Sequence, residues 1–141
     1  LPLELAIKTQ TKTGSTTKKK KTIVVFEYPY CSYCKKYRLT LEKIKDLTIY
    51  TFLLPILGED SVETSKRIWC SKDKAVAWED FMIRGIKPAK IQGECDFPIE
   101  SLLALGKKLG INATPTSYLV SGKRVPGAVN KEVLERELSL L

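Results

Sequence analysis

The stretch from Thr22 to Leu54 constrains the fold more than any other part of the chain. Ile23-Val24-Val25-Phe26 is a continuous β-branched and aromatic run, the pattern of a strand covered on both faces. It stops at Tyr28-Pro29. From there Cys34, Tyr37, Leu41 and Ile44 recur at steps of three and four, the period of a helix with one buried stripe. Thr48 to Leu54 is strand-like again and ends at Pro55. Strand, helix, strand at this spacing is a βαβ unit, and it commits the sheet to a parallel pair.

The remainder fills in around that unit. Ser61 to Arg84 has helical periodicity, broken near Ser71-Lys72-Asp73. Ser61 is the expected cap of the first helix, with Thr64 in its opening turn, and Asp73 that of the second. Gly85 to Asp96 reads as loop. Pro98 to Leu109 is a helix with Ile99, Leu102, Leu103 and Leu109 on one face, Lys107 and Lys108 at its negative end, and Gly110 ending it. Thr116 to Val120 is a strand, Ser121-Gly122 a tight turn, and Lys123 to Val125 an antiparallel return. Asn130 caps a last helix with Val133, Leu134, Leu138 and Leu141 inward. The first 21 residues differ. Leu1 to Ile7 is apolar, and Lys8 to Lys21 is mostly Thr, Lys, Gly, Ser and Gln. Ala6 to Thr11 fits an edge strand turning back at Gly14-Ser15, while Leu1 to Ile7 fits equally the tail of a linker helix. The expected organisation is a linker or N-terminal extension over 1–21 and one α/β domain over 22–141, with an all-helical insertion at about 60–95 between a βαβ half and a ββα half.

Composition excludes several classes. With 141 residues and 43% hydrophobic content the chain can bury one real core. No apolar run approaches the roughly 18 residues of a membrane span. Leu1 to Ile7 has neither the basic start nor the cleavage site of a signal peptide, which suggests a mature form or a piece of a longer chain. Net charge is +8, concentrated at Lys18-Lys19-Lys20-Lys21, but no nucleic-acid motif accompanies it. The lysine run reads as a solvated loop or edge-strand guard, with a docking surface for an acidic partner as the alternative. Four cysteines and no histidine remove Cys–His catalysis, histidine-dependent serine triads and His-ligated metal sites together.

Cys31 and Cys34 carry the chemistry. In Cys31-Ser32-Tyr33-Cys34 the first cysteine follows a buried strand where a helix begins. Unpaired N–H groups and the positive end of the helix dipole favour its thiolate. Such settings lower a cysteine pKa from about 8.5 to roughly 3.5–7.5, and the thiolate is the attacking species in disulfide exchange. Lys35, Lys36 and Arg38 add positive charge nearby. Cys34, one turn on, can reach the same sulfur and resolve a mixed disulfide formed at Cys31. Ser32 and Tyr33, between them, tune the redox potential. The competing readings are half of a zinc site, which lacks a second close pair, and a purely structural bridge. No metal or other cofactor is expected. Cys70 and Cys95 suit either a structural bridge across the helical insertion or two buried thiols.

Ile68-Trp69-Cys70-Ser71-Lys72-Asp73-Lys74, the run Ala104-Leu105-Gly106-Lys107-Lys108-Leu109-Gly110-Ile111 followed by Ala113-Thr114-Pro115, and Gly122 through Val125-Pro126-Gly127 extend the pattern. Together with the C-x-x-C pair they resemble the catalytic domain of the bacterial periplasmic disulfide isomerases, DsbC and DsbG, over about residues 22–138. The resemblance implies a thioredoxin fold with Cys31 as nucleophile and a Cys70–Cys95 bridge. It also implies a cis Thr114-Pro115 bond beside the redox pair, where Thr114 presents its backbone to an extended substrate. It implies further a periplasmic address, protein substrates with disulfides or free thiols, and a DsbD-type membrane reductase that keeps the pair reduced. That family is homodimeric through an N-terminal domain, which this chain is expected to lack. Ser32-Tyr33 departs from the family's more familiar Gly-Tyr. Val25 stands where many thioredoxin-like proteins have a buried acid. The leading expectation is a disulfide isomerase or reductase; the alternatives are a monomeric dithiol oxidase and a non-catalytic chaperone-like module.

Overall fold

The computed structural model describes residues 1–14, 19–56 and 58–140. Ile7–Gln10 forms strand β1, Lys21–Glu27 β2, Leu47–Leu53 β3, Thr116–Leu119 β4 and Arg124–Pro126 β5. The sheet order is β1-β3-β2-β4-β5. Only the β2–β3 pair is parallel, with Ile23 beside Ile49 and Glu27 beside Leu53; the other three pairs are antiparallel. Helix α1 spans Ser32–Glu42, α2 Gly58–Trp69, α3 Lys74–Arg84, α4 Ile99–Lys108 and α5 Lys131–Ser139.

The strand β2 lies at the centre because its side chains are apolar on both faces. On one face Ile23 and Val25 pack with Leu47 and Ile49, under Tyr37 and Leu41 of α1 and Leu134 and Leu138 of α5. On the other, Phe26 stacks on Phe52 at 5.0 Å and joins Leu54 and Leu102 of α4. Gly106 lets α4 settle there, since a Cβ would stand 2.7 Å from Leu54 Cδ1. A third cluster, of Ile7, Tyr28, Leu53, Ile68, Trp78, Phe81 and Met82, surrounds Cys31 and Cys34 and attaches α2 and α3. A disulfide joins Cys70 to Cys95, closing the helical insertion. With partners separated by 25 in sequence, a cross-link of this kind is worth roughly 3.5 kcal/mol in the chain-entropy account.

Asp73 caps α3, accepting from Val76 N–H at 3.1 Å, and Asn130 caps α5, accepting from Val133 N–H at 2.9 Å. Gly110 follows α4 with φ +66°, the conformation a helix end requires and glycine adopts without strain.

Four expectations are corrected. The sheet begins at β1, not at residue 22, because Ile7, Thr9 and Thr11 turn inward against β3 and are buried. Of the two readings of the N-terminus, the edge strand holds, preceded by a short 3-10 turn at Leu3–Leu5; Ser15 of the expected turn lies outside the described residues. Ser61 is not a cap. The helix α2 starts at Gly58, so Ser61 falls one turn inside it and is fully buried. Leu103 points outward at 38% exposure, because the stripe that meets Phe52 and Phe26 runs through Leu102, Leu105 and Leu109. Lys21 leads into the central strand, so the lysine run guards no edge; Lys19 and Lys20 are exposed and Lys18 lies outside the described residues, as does Leu141.

Candidate active site

Cys31 is the N-cap of α1. Its backbone is extended, at φ −114° and ψ 109°, and its sulfur accepts a hydrogen bond from Cys34 N–H at 3.1 Å. Asp or Ser plays this part at most helix starts. Here the acceptor is sulfur, so a negative charge on Cys31 meets both a donor and the positive end of α1. Cys31 and Cys34 are joined as a disulfide, Cα to Cα 5.1 Å. Cys31 is 5% exposed and Cys34 is fully buried, so Cys31 is the sulfur a second molecule can touch.

The loop before β4 supplies the opposite wall. The Thr114-Pro115 bond is cis. Cys31 Sγ lies 3.5 Å from Thr114 Oγ1 and 3.7 Å from Thr114 O. The loop is held by Gly127 N–H donating to Pro115 O at 2.8 Å and by Thr116 Oγ1 donating to Ala113 O at 2.7 Å. Residues 83 apart in sequence thus form one site. Helix α1 is fastened to β4 by the hydroxyls of Tyr37 and Ser117, 2.8 Å apart, both fully buried. Burial pushes the Tyr37 phenol up to about 12, so it stays neutral. Tyr37→Phe is expected to cost about 1–2 kcal/mol, since it strands the Ser117 hydroxyl; a chemical denaturation midpoint measures it.

Ser32 is exposed and Tyr33 is 67% exposed, so both face an incoming molecule. Tyr30, not singled out in the sequence, stands on the other flank. It packs edge-on against Phe81 at 5.5 Å, and its hydroxyl accepts from Thr64 Oγ1 at 3.1 Å. A groove of about 470 Å³ opens beside it, lined by Tyr30, Gly58, Glu59, Asp60 and Ser61.

Two electrostatic expectations change. Lys35 lies with its ammonium 4.8 Å over the Phe81 ring. Arg38 lends no free charge to Cys31. It is fully buried, donating to Thr9 Oγ1 at 3.0 Å, Glu42 Oε1 at 3.0 Å and Glu79 Oε1 at 3.3 Å. A buried acid is present after all, at Glu27 instead of Val25. Glu27 is fully buried, Thr51 Oγ1 donates to its Oε2 at 2.8 Å, and Oε1 accepts from no described residue. Burial raises its pKa to about 7, against the pull of Arg38 and of Thr51. Strand alternation was the available signal: residue 27 shares the inward face of residues 23 and 25.

A cysteine pair capping the first helix after a central strand, facing a cis-proline loop, is the arrangement of thioredoxin-like thiol–disulfide proteins. The thioredoxin-like domain family matches residues 7–141, and the chain belongs to it. Within that class it is similar over its whole length to a disulfide interchange protein from Neisseria gonorrhoeae, which superposes with a TM-score of 0.88 and 32% identity, covering 99% of this chain and 97% of that one. A protein of Bordetella parapertussis named DsbC is 44% identical over 98% of this chain and 47% of its own length. The thiol:disulfide interchange protein DsbC of Escherichia coli is 35% identical over 77% of this chain and 46% of its own. The chain therefore spans about half the length of these curated relatives. No helix among the described residues is long and apolar enough to cross a membrane.

Proposed function

We propose that this chain is the catalytic unit of a protein disulfide isomerase or reductase, working through a mixed disulfide at Cys31. The observation that carries the reading is Cys31 Sγ held between Cys34 N–H and Thr114. In the reduced state the N–H and the start of α1 favour the Cys31 thiolate. That thiolate attacks a client disulfide, one client sulfur leaves as thiolate, and Cys31 is joined to the other. Client backbone lies along Thr114 and Pro115 in an extended form, while Tyr33 and Ser32 border it. Two outcomes follow. A client thiolate can displace Cys31, which isomerises the client. Alternatively Cys34 attacks Cys31, which releases a reduced client and leaves the Cys31–Cys34 disulfide.

The reading extends to location and partners. The Cys70–Cys95 disulfide, separate from the redox pair, suits an oxidising compartment such as the periplasm. A domain that isomerises needs its pair kept reduced, which calls for a DsbD-type membrane reductase. We assign the inserted helical unit, about residues 60–95, to the catalytic domain, a reading supported by its Phe81 packing against Tyr30 beside the site.

The test is refolding of a scrambled multi-disulfide protein by the reduced chain, with native activity of the client as readout. Faster recovery of native client is expected. Net oxidation of a fully reduced client without rearrangement of a scrambled one would make the chain a dithiol oxidase instead.

A further inference from the structure

Six lysines gather at the end of the sheet opposite the redox pair, where neither the exchange chemistry nor the core uses their charge. Lys12 follows β1, Lys19 and Lys20 lead into β2, Lys21 is its first residue, Lys43 closes α1, and Lys45 stands between α1 and β3. Three separate segments thus meet, tied by the backbone of Asp46. Its N–H donates to Lys12 O, and its carbonyl accepts from Lys21 N–H, each at 2.9 Å. Lys12, Lys19, Lys20, Lys43 and Lys45 are exposed, and Lys21 is half-buried. None of the six forms an ion pair among the described residues. The acids interspersed with them are engaged elsewhere. Glu42 accepts from Arg38, and Asp46 is buried with its Oδ1 accepting from Gly14 N–H at 3.0 Å. Positive charge at this end is therefore left uncompensated within the chain, and its field extends about 10 Å into solvent at moderate salt.

The surroundings narrow the partner. Lys21 opens the central strand, so the charge does not serve to guard a sheet edge. The grooves of about 470 and 210 Å³ lie at the other end, beside Tyr30. The three lysine-bearing segments expose no large apolar side chain among the described residues, and the one nearby arginine, Arg38, is buried. Protein interfaces draw their affinity from aromatic and arginine anchors seated in pockets, and this end presents neither. Lysine is a flexible point charge without the planar fork that reads a fixed carboxylate. Such a surface fits many anions that are themselves mobile, as in the headgroup layer of a lipid bilayer.

We propose that this lysine pole is a docking surface for a bilayer rich in anionic phospholipid. Each lysine brought to such a surface strengthens binding about fivefold, so several acting together hold the chain peripherally. Strand β2 then runs seven residues from the pole, roughly 20 Å, before the chain reaches Cys31. Docked in this way, Cys31 and Thr114 face away from the lipid and stay open to protein clients. The inference stands on the charge distribution and does not depend on the redox reading.

The experiment is co-sedimentation of the chain with vesicles of phosphatidylcholine alone, and of phosphatidylcholine with about a third phosphatidylglycerol, at about 0.1 M salt. Binding is expected to the anionic vesicles only, with release at about 0.5 M salt. The combined variant Lys19→Gln, Lys20→Gln, Lys45→Gln should bind roughly a hundredfold more weakly. A second combined variant, Lys72→Gln, Lys107→Gln, Lys108→Gln, loses the same net charge elsewhere and should change by no more than about threefold. All six of these side chains are exposed, so the fold is kept in both. Equal weakening in the two variants would overturn the proposal, since net charge and not the pole would then carry binding. Equal binding to neutral and anionic vesicles, or to neither, would overturn it as well. A chain that captures polyglutamate but not anionic vesicles would make the pole a docking site for an acidic protein instead.

Discussion

Replacing Cys31 by serine is expected to bring disulfide exchange down to the uncatalysed background, a loss on the order of a thousandfold or more, as when other covalent catalysts lose their nucleophile. Serine preserves the cap: its oxygen can accept from the backbone N–H of residue 34 as the sulfur does at 3.1 Å, so α1 should keep its start and the protein its stability. What disappears is the polarisable sulfur nucleophile. Cys34→Ala should behave differently. Cys31 can still attack, but the fully buried sulfur that would displace the client from behind is gone. A mixed disulfide with a client or with glutathione should therefore accumulate on Cys31. The checks are turnover of a self-quenched disulfide peptide and mass spectrometry of the trapped adduct. Exchange retained in Cys31→Ser, or an adduct found on Cys34 in a Cys31→Ser chain at comparable rate, would reverse the assignment.

The second large effect is expected at Arg38. Arg38→Met keeps most of the volume and removes the charge, and should cost about 3–5 kcal/mol, since breaking a buried ionic group on one side strands its partners. For a chain of this size that is a fall in Tm of roughly 10–15 °C. The loss divides unequally. Glu42 and Glu79 are 32% and 26% exposed and can turn to water, so their share is small. Thr9 Oγ1 and Glu27 have no such exit. Glu27, already raised to about 7 with Arg38 in place, climbs further without it. The pH dependence has a definite sign. A carboxyl whose folded pKa lies above its unfolded value contributes stability below the unfolded pKa and loses it as pH rises through the folded one. Wild type should therefore lose part of its stability between about pH 4.5 and pH 7 through Glu27. Arg38→Met should be most impaired above that window, and Arg38→Met combined with Glu27→Gln should recover part of the loss at alkaline pH. Denaturation midpoints of wild type, Arg38→Met, Glu27→Gln and the double variant at acid and alkaline pH decide it. A cost under about 1 kcal/mol for Arg38→Met, or a double variant worse than the single, would show that Arg38 and Glu27 are not an electrostatic unit.

Much of the fold was legible because it follows from local pattern. The run Ile23 to Phe26 could only be a strand apolar on both faces, and it occupies the centre of the sheet. Asp73 and Asn130 are short acceptors ahead of helical periodicity, and both cap as such residues do. Cys31 was readable for the same reason, as a sulfur at the junction of strand and helix. Errors arose where a residue's role depends on distant chain. Ser61 has the chemistry of a cap, but α2 gains a further turn from Gly58 and carries Ser61 inward. Ile7 to Gln10 was ambiguous because a four-residue strand has little pattern of its own; it is a strand because β3 offers an unpaired edge. Arg38 reads locally as positive charge near Cys31, since nothing local announces that Thr9 and Glu79 will enclose it.

By itself the sequence determined the βαβ core, the position of the cysteine pair at a helix start and the course of the terminal hairpin and helix. These rest on periodicity, capping and turn chemistry, which act over a few residues. Family resemblance pointed to the Thr114-Pro115 loop opposite Cys31, which the tertiary structure brings into contact; the tertiary structure alone decided which charges are buried beneath α1, and that Glu27 is an acid without water. Those properties depend on solvent exclusion and on contacts between residues up to 83 apart, and burial is created only when the layers close.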